Sequence, residues 1–232
     1  MMAKKTARRR PAPVVTQRRG PSLALIIGAV VVLLFAGIVA FGIYRTQQQN
    51  QALNAPPAGV IADGLVVGQP QASTTIDVYL DFQCPACRNF EKNAGPTIDE
   101  LVAKGTARVI YHPVAYLDDM SGGTRYSSRA SAASGCAAKD NVFPQFAKLL
   151  YDNQPSEGGK GLPDQQLLAY GQQAGASPAF AECVNTKVYE RWTRKVTEEA
   201  SKKGFNSTPT VLVNGKKITN TDSALRQAVG IQ

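Results

Sequence analysis

Residues 23–44 form an unbroken apolar run of Leu, Ile, Val, Ala, Phe and Gly, closed by Tyr44, with no charged side chain. About 20 such residues cross a bilayer as a helix. Beyond it the pattern breaks into short periodic pieces. Two apolar pieces flank Asp63-Gly64, which predicts a hairpin near the start of a domain at 59. Residues 76–80 are apolar except Asp77 and predict a strand. Residues 88–103 predict a helix, with Ile98, Leu101 and Val102 on one face. Pro96 lies inside that pattern and predicts a kink or a break. Residues 107–112 predict a second core strand, ended by Pro113.

From 124 to 203 no strand is predicted. Tyr126, Ala130, Ala133 and Ala137 form a helical stripe, and Phe143, Phe146 and Leu150 form another behind a cap-like Asp140-Asn141. Residues 154–161 are polar and Gly-rich, hence a loop. Pro163-Asp164 opens a third helix, and Ser177-Pro178 opens a fourth as N-cap and first turn. Val188, Trp192 and Val196 mark a fifth, stopped by Gly204. Strand character returns at 210–213, and Asn214-Gly215 predicts a hairpin into 216–219. Asp222 is placed to cap a last helix with Leu225 and Val229 inward. The fold class is α/β, a domain at 59–232 with a helical insertion at about 121–203.

Charge changes the reading of the N-terminus. The net charge is +9, yet it is a property of a tail. Residues 1–20 hold seven basic side chains and no acid, while residues 46–232 hold 18 basic and 17 acidic ones. A nucleic-acid role for the folded part loses its support. Positives precede the apolar run, and after it only Arg45 stands before Asp63. Positive-inside logic puts a basic tail at 1–22 in the cytoplasm, a single membrane-spanning helix at 23–44, and the rest outside. The run exceeds a signal-peptide core and no A-x-A site follows, so it reads as an uncleaved anchor in the cell membrane. Residues 45–58, rich in Gln, Asn, Ala and Pro, read as a linker.

The chemistry sits between the first strand and its helix, at Phe82-Gln83-Cys84-Pro85-Ala86-Cys87. Two intervening residues bring both sulfurs within bonding range in one helical turn. The first sulfur lies at a helix N-terminus, where backbone N–H groups and the dipole favour a thiolate. Cys84 is the candidate attacking thiol and Cys87 the resolving one. An inert disulfide or half a zinc site shares the spacing, but not the strand–helix setting. Cys136 and Cys183 each lie on an apolar helix face. In an exported domain they fit a structural disulfide, which adds on the order of 4 kcal/mol in the chain-entropy model; two buried free thiols are the alternative. His112, the single histidine, reads as structural more readily than catalytic. No phosphate loop, paired carboxylates or metal cluster is evident, and no cofactor or metal is expected.

The strand–CxxC–helix unit, the helical insertion and the later Gly204-Phe-Asn-Ser-Thr208-Pro209-Thr-Val-Leu-Val-Asn-Gly run together resemble a DsbA-like thiol–disulfide oxidoreductase of the thioredoxin fold. The resemblance covers about 59–232 and is strongest to the membrane-anchored extracytoplasmic kind of actinobacteria. It implies a cis Pro209 facing the Cys84–Cys87 pair, with the Thr208 backbone pairing with substrate peptide. It implies disulfide insertion into reduced exported proteins, and reoxidation by a quinone-linked membrane partner, DsbB-like or vitamin-K-epoxide-reductase-like. A reductase or isomerase fed across the membrane, or a tethered chaperone with a structural disulfide, remain as alternatives. Two departures stand out. The family's buried acid six residues before the first cysteine is here Val78, so Asp81 or water has to relay protons. The histidine before the second cysteine is here Ala86, which implies a less acidic Cys84 and a less oxidising pair.

Overall fold

The computed structural model describes residues 23–53, 60–61 and 63–231. The basic tail at 1–22 and the linker's end at 54–58 lie outside the described residues. The chain divides into two units, residues 1–49 and 50–232.

Most of helix α1, Leu23–Leu53, lies in the first unit. Its stretch Ile26–Tyr44 has a mean hydropathy of 2.9 and is long and apolar enough to cross a membrane. The described side chains there are exposed. This helix fits a single-pass anchor. It continues past Tyr44 into the expected linker, because Gln, Ala and Leu favour helix where no Pro or Gly interrupts them.

The second unit is built on a six-stranded sheet: β1 (Val60–Ile61), β2 (Gly64–Val67), β3 (Thr74–Leu80), β4 (Ala107–Pro113), β5 (Thr210–Val213) and β6 (Lys216–Ile218). Their order is β1-β2-β4-β3-β5-β6, with β3 and β4 parallel and every other pair antiparallel. The parallel pair needs a crossover, and α2 (Pro85–Ala103) supplies it. Ile76, Val78 and Leu80 alternate along β3 as buried residues, in one core with Phe90, Ala94, Ile98 and Leu101 of α2. Val78, where the family's acid would stand, is a core residue. Pro96 does not break α2. It lies on the exposed side, as does Lys92 four residues earlier, so the carbonyl left without a donor faces water.

Between β4 and β5 lie a 3₁₀ turn, Asp118–Met120, and five helices: α3 (Tyr126–Lys139), α4 (Phe143–Asp152), α5 (Asp164–Gln173), α6 (Ala179–Asn185) and α7 (Glu190–Lys202). The last helix, α8, is Asp222–Val229. Three expected caps sit elsewhere. Thr221, not Asp222, caps α8, accepting from the Ala224 N–H at 3.2 Å; Asp222 instead accepts from Thr97 and Arg226. Asp140 accepts from the Ser177 N–H and hydroxyl, so it ties α3 to the start of α6 rather than capping α4. Pro178, not Ser177, stands at the N-cap of α6. Each change exchanges one short polar residue for a neighbour, a choice fixed by packing.

Cys136 and Cys183 are joined, with an S–S distance of 2.08 Å and Cα atoms 5.9 Å apart, so the bridge links α3 to α6. His112 is buried on β4. Its Nδ1 lies 3.1 Å from the Asp63 carbonyl, its Nε2 lies 3.1 Å from Asp77 Oδ1, and its ring stacks on Tyr79. It therefore clamps the β1–β2 hairpin to the central strands and stays away from the thiols.

Candidate active site

β3 ends at Leu80, and three buried residues, Asp81, Phe82 and Gln83, turn the chain into α2. Cys84 is the N-cap in extended conformation, and Pro85 follows at the first helical position, where a fixed φ and a missing N–H cost nothing. The N–H groups of Cys87 and Arg88 donate to the Cys84 carbonyl at 3.1 and 3.2 Å, closing the first turn. Pro85 and Ala86 are exposed, while both cysteines are largely buried free thiols. From the far side of the domain the Thr208–Pro209 bond, which is cis, approaches this turn. The Cys84 thiol donates to the Thr208 carbonyl at 3.4 Å.

The two thiols are unlike. The Cys87 thiol hydrogen-bonds Cys84, and this, opposed by burial and helped by Thr208 and by the N–H groups of Cys87 and Ala86, brings Cys84 down to about 6. Burial pushes the Cys87 thiol well above its usual range, and the neighbouring Cys84 adds to this. A thiolate therefore forms on Cys84 while Cys87 keeps its proton.

Asp81 is fully buried, and its N–H donates to Cys87 Sγ at 3.5 Å. Its carboxylate accepts from the Gln83 N–H at 2.9 Å, the Leu117 N–H at 3.0 Å and Ser127 Oγ at 2.6 Å. Burial outweighs these three donors and lifts Asp81 to about 6. A second carboxyl, Glu91, lies one turn past Cys87 in the cleft between α2 and α4, lifted to about 7 by burial and by Asp99.

The structure thus brings Cys84, Cys87, Thr208, Pro209 and Asp81 together. Cys136 and Cys183 form their own bridge in the helical block. Two residues far along the chain were not foreseen from sequence: Ser127 on α3, which donates to Asp81, and Gln154 in the loop after α4, which donates to the Cys84 carbonyl, while Gln83 of the turn donates in return to the Met120 carbonyl. No local motif marks them. Among the described residues no group of side chains is arranged to hold a metal ion.

A family model described as thioredoxin matches residues 62–230. The chain belongs to the thioredoxin family. Its neighbours narrow this to the DsbA-like thiol–disulfide oxidoreductases. The reduced DsbA of Mycobacterium tuberculosis is 33% identical, with 72% of this chain and 91% of that chain covered at a TM-score of 0.63. BdbD of Bacillus subtilis shares the fold at a TM-score of 0.64 with 20% identity, over 77% of this chain and 96% of that one. Disulfide bond formation protein D of Bacillus subtilis is 26% identical over 179 residues, 76% of this chain and 78% of its own length. The serine/threonine-protein kinase PknE of Mycobacterium tuberculosis is 33% identical over 170 residues, 69% of this chain. The chain spans only 30% of that kinase's length, so the likeness is to one part of it.

Proposed function

We propose that this chain is a membrane-anchored oxidase that inserts disulfides into reduced exported proteins on the outer side of the cell membrane. The observation that carries the reading is the unequal pair: Cys84 low and at the helix end beside Thr208, Cys87 high and buried. The Cys84–Cys87 disulfide is the working oxidant. A substrate thiolate attacks Cys84 Sγ, the Cys84–Cys87 bond breaks, and Cys87 leaves and takes a proton. A second substrate thiolate then attacks the substrate sulfur of the mixed disulfide and releases Cys84 as thiolate. The substrate dithiol loses two electrons and the enzyme gains two. The low pKa of Cys84 makes it a good leaving group and favours the reduced enzyme, which is what makes a pair oxidising.

Asp81 stands in for the acid absent at Val78. It is buried next to the pair, its main-chain N–H on Cys87 Sγ, and its carboxyl, lifted to about 6 by burial, is able to exchange a proton near neutral pH. Thr208 is the candidate edge for an extended substrate peptide, added beside Pro209 as a strand. A quinone-linked membrane partner, DsbB-like or vitamin-K-epoxide-reductase-like, takes the electrons onward. The lowered but not extreme Cys84 accords with Ala86 in place of histidine, since DsbA itself reaches about 3.5.

Equilibrating the full chain with glutathione tests the direction of flow. A potential of about −120 to −180 mV is the expected result. A value near about −270 mV would replace the oxidase by a reductase supplied with electrons across the membrane.

A further inference from the structure

The loop at 153–163 is strapped across the redox turn by polar contacts that no thiol chemistry explains. The Gly159 carbonyl accepts from Gln83 Nε2 at 3.5 Å, the Lys160 carbonyl from Thr124 Oγ1 at 2.6 Å, and the Leu162 carbonyl from Arg129 at 2.9 Å. Gly161 has φ +70°, and a Cβ there would stand 2.3 Å from the Tyr126 side chain, so only glycine lets the strap lie this close. At its start, Gln154 Nε2 donates to the Phe82 carbonyl at 3.0 Å and to the Cys84 carbonyl at 2.9 Å. Both partners are acceptors only, so the amide orientation is fixed: the NH₂ end faces the turn.

We propose that Gln154 is a positioning residue for the redox pair, its amide holding the Phe82 and Cys84 carbonyls and so fixing the turn that presents Cys84 Sγ to Thr208. This rests on the thiol-pair reading above. The argument is electrostatic as well as geometric. The Cys84 carbonyl already accepts two helical N–H groups, and its negative end lies within the same residue as the reacting sulfur. A third donor offsets that negative charge and favours the thiolate. A side chain without donors leaves it uncompensated. A carboxylate there would set like charge against both carbonyls and against the thiolate.

The test uses the full chain in detergent with Gln154→Met, which keeps the bulk without donors, and Gln154→Glu, which keeps the shape but replaces the donors by a negative charge. Glu157→Gln, on the exposed side of the same strap, is the control. Alkylation of Cys84 is followed against pH, together with the glutathione equilibrium and Trp192 fluorescence as a fold signal. Both Gln154 variants should move the alkylation midpoint upward, Glu further than Met. Both should make the pair less readily reduced, by roughly two- to tenfold, the range of one hydrogen bond. Glu157→Gln should match the wild type. A low wild-type midpoint unmoved by either Gln154 variant would sink this inference alone. A shift that arrives only with loss of the Trp192 signal would sink it too, as an effect on folding. An ordinary thiol midpoint in the wild type would remove the proposed function, and this inference with it.

Discussion

Cys84→Ser should abolish dithiol oxidation, since no sulfur remains at the helix end to take the substrate. Cys87→Ser should instead accumulate mixed disulfides, because the neighbouring thiol that displaces a trapped substrate from Cys84 is gone; gel analysis under non-reducing conditions separates the two outcomes. Asp81 predicts a pH effect on stability. Its folded value is raised to about 6 from an ordinary 3.8, so the stabilisation is present below the unfolded value and is lost as pH rises through the folded one. The loss between about pH 4 and pH 6 is on the order of 3 kcal/mol. Chemical denaturation across that window should show a smaller decline in Asp81→Asn than in the wild type, the remainder coming from Glu91, which burial also raises. The two cysteines were legible because their spacing and setting are local. Asp81 was legible only as a residue: its burial and its donors, Leu117 and Ser127, come from segments the sequence places far away.

Helices and strands carry their own tests. Replacing Cys136 and Cys183 together by Ala should cost about 4 kcal/mol in the chain-entropy model, while the potential of the Cys84–Cys87 pair stays put. Equal thermal midpoints for variant and wild type would show that the bridge does not staple α3 to α6. Thr221→Ala should lower stability by about 1 kcal/mol through the lost cap on α8, whereas the cap predicted from sequence, Asp222, acts through Thr97 and Arg226. Thermal denaturation of the two single variants distinguishes them by the loss of Arg226 coupling in Asp222→Ala. The major helices and strands were visible in sequence, some in their apolar period and others through Pro, Gly and Asx punctuation. What the period did not resolve was the fate of polar residues at element ends, where Thr, Ser, Asp and Asn are nearly interchangeable until packing picks one. Whether Pro96 breaks α2 was not legible for a similar reason: the cost of a proline depends on whether the freed carbonyl meets water, and only the burial pattern of α2 decides that.

For the whole molecule, the expectation is an anchored enzyme. Deleting residues 1–45 should release the protein from membranes in fractionation while leaving its redox chemistry with glutathione intact. Retention on the membrane would place the attachment in the folded unit. The sequence alone determined the long apolar helix, the α/β alternation and the thiol pair, because each depends on neighbours within a few turns or strands. Tertiary structure alone decided what surrounds that pair. Thr208 and Pro209 reach Cys84 across more than half the domain, Ser127 and Leu117 converge on Asp81, and Gln154 closes over the turn. Hydrogen bonds and desolvation act over a few ångströms in space, whatever the distance along the chain, so the acidity of the two thiols belongs to the fold.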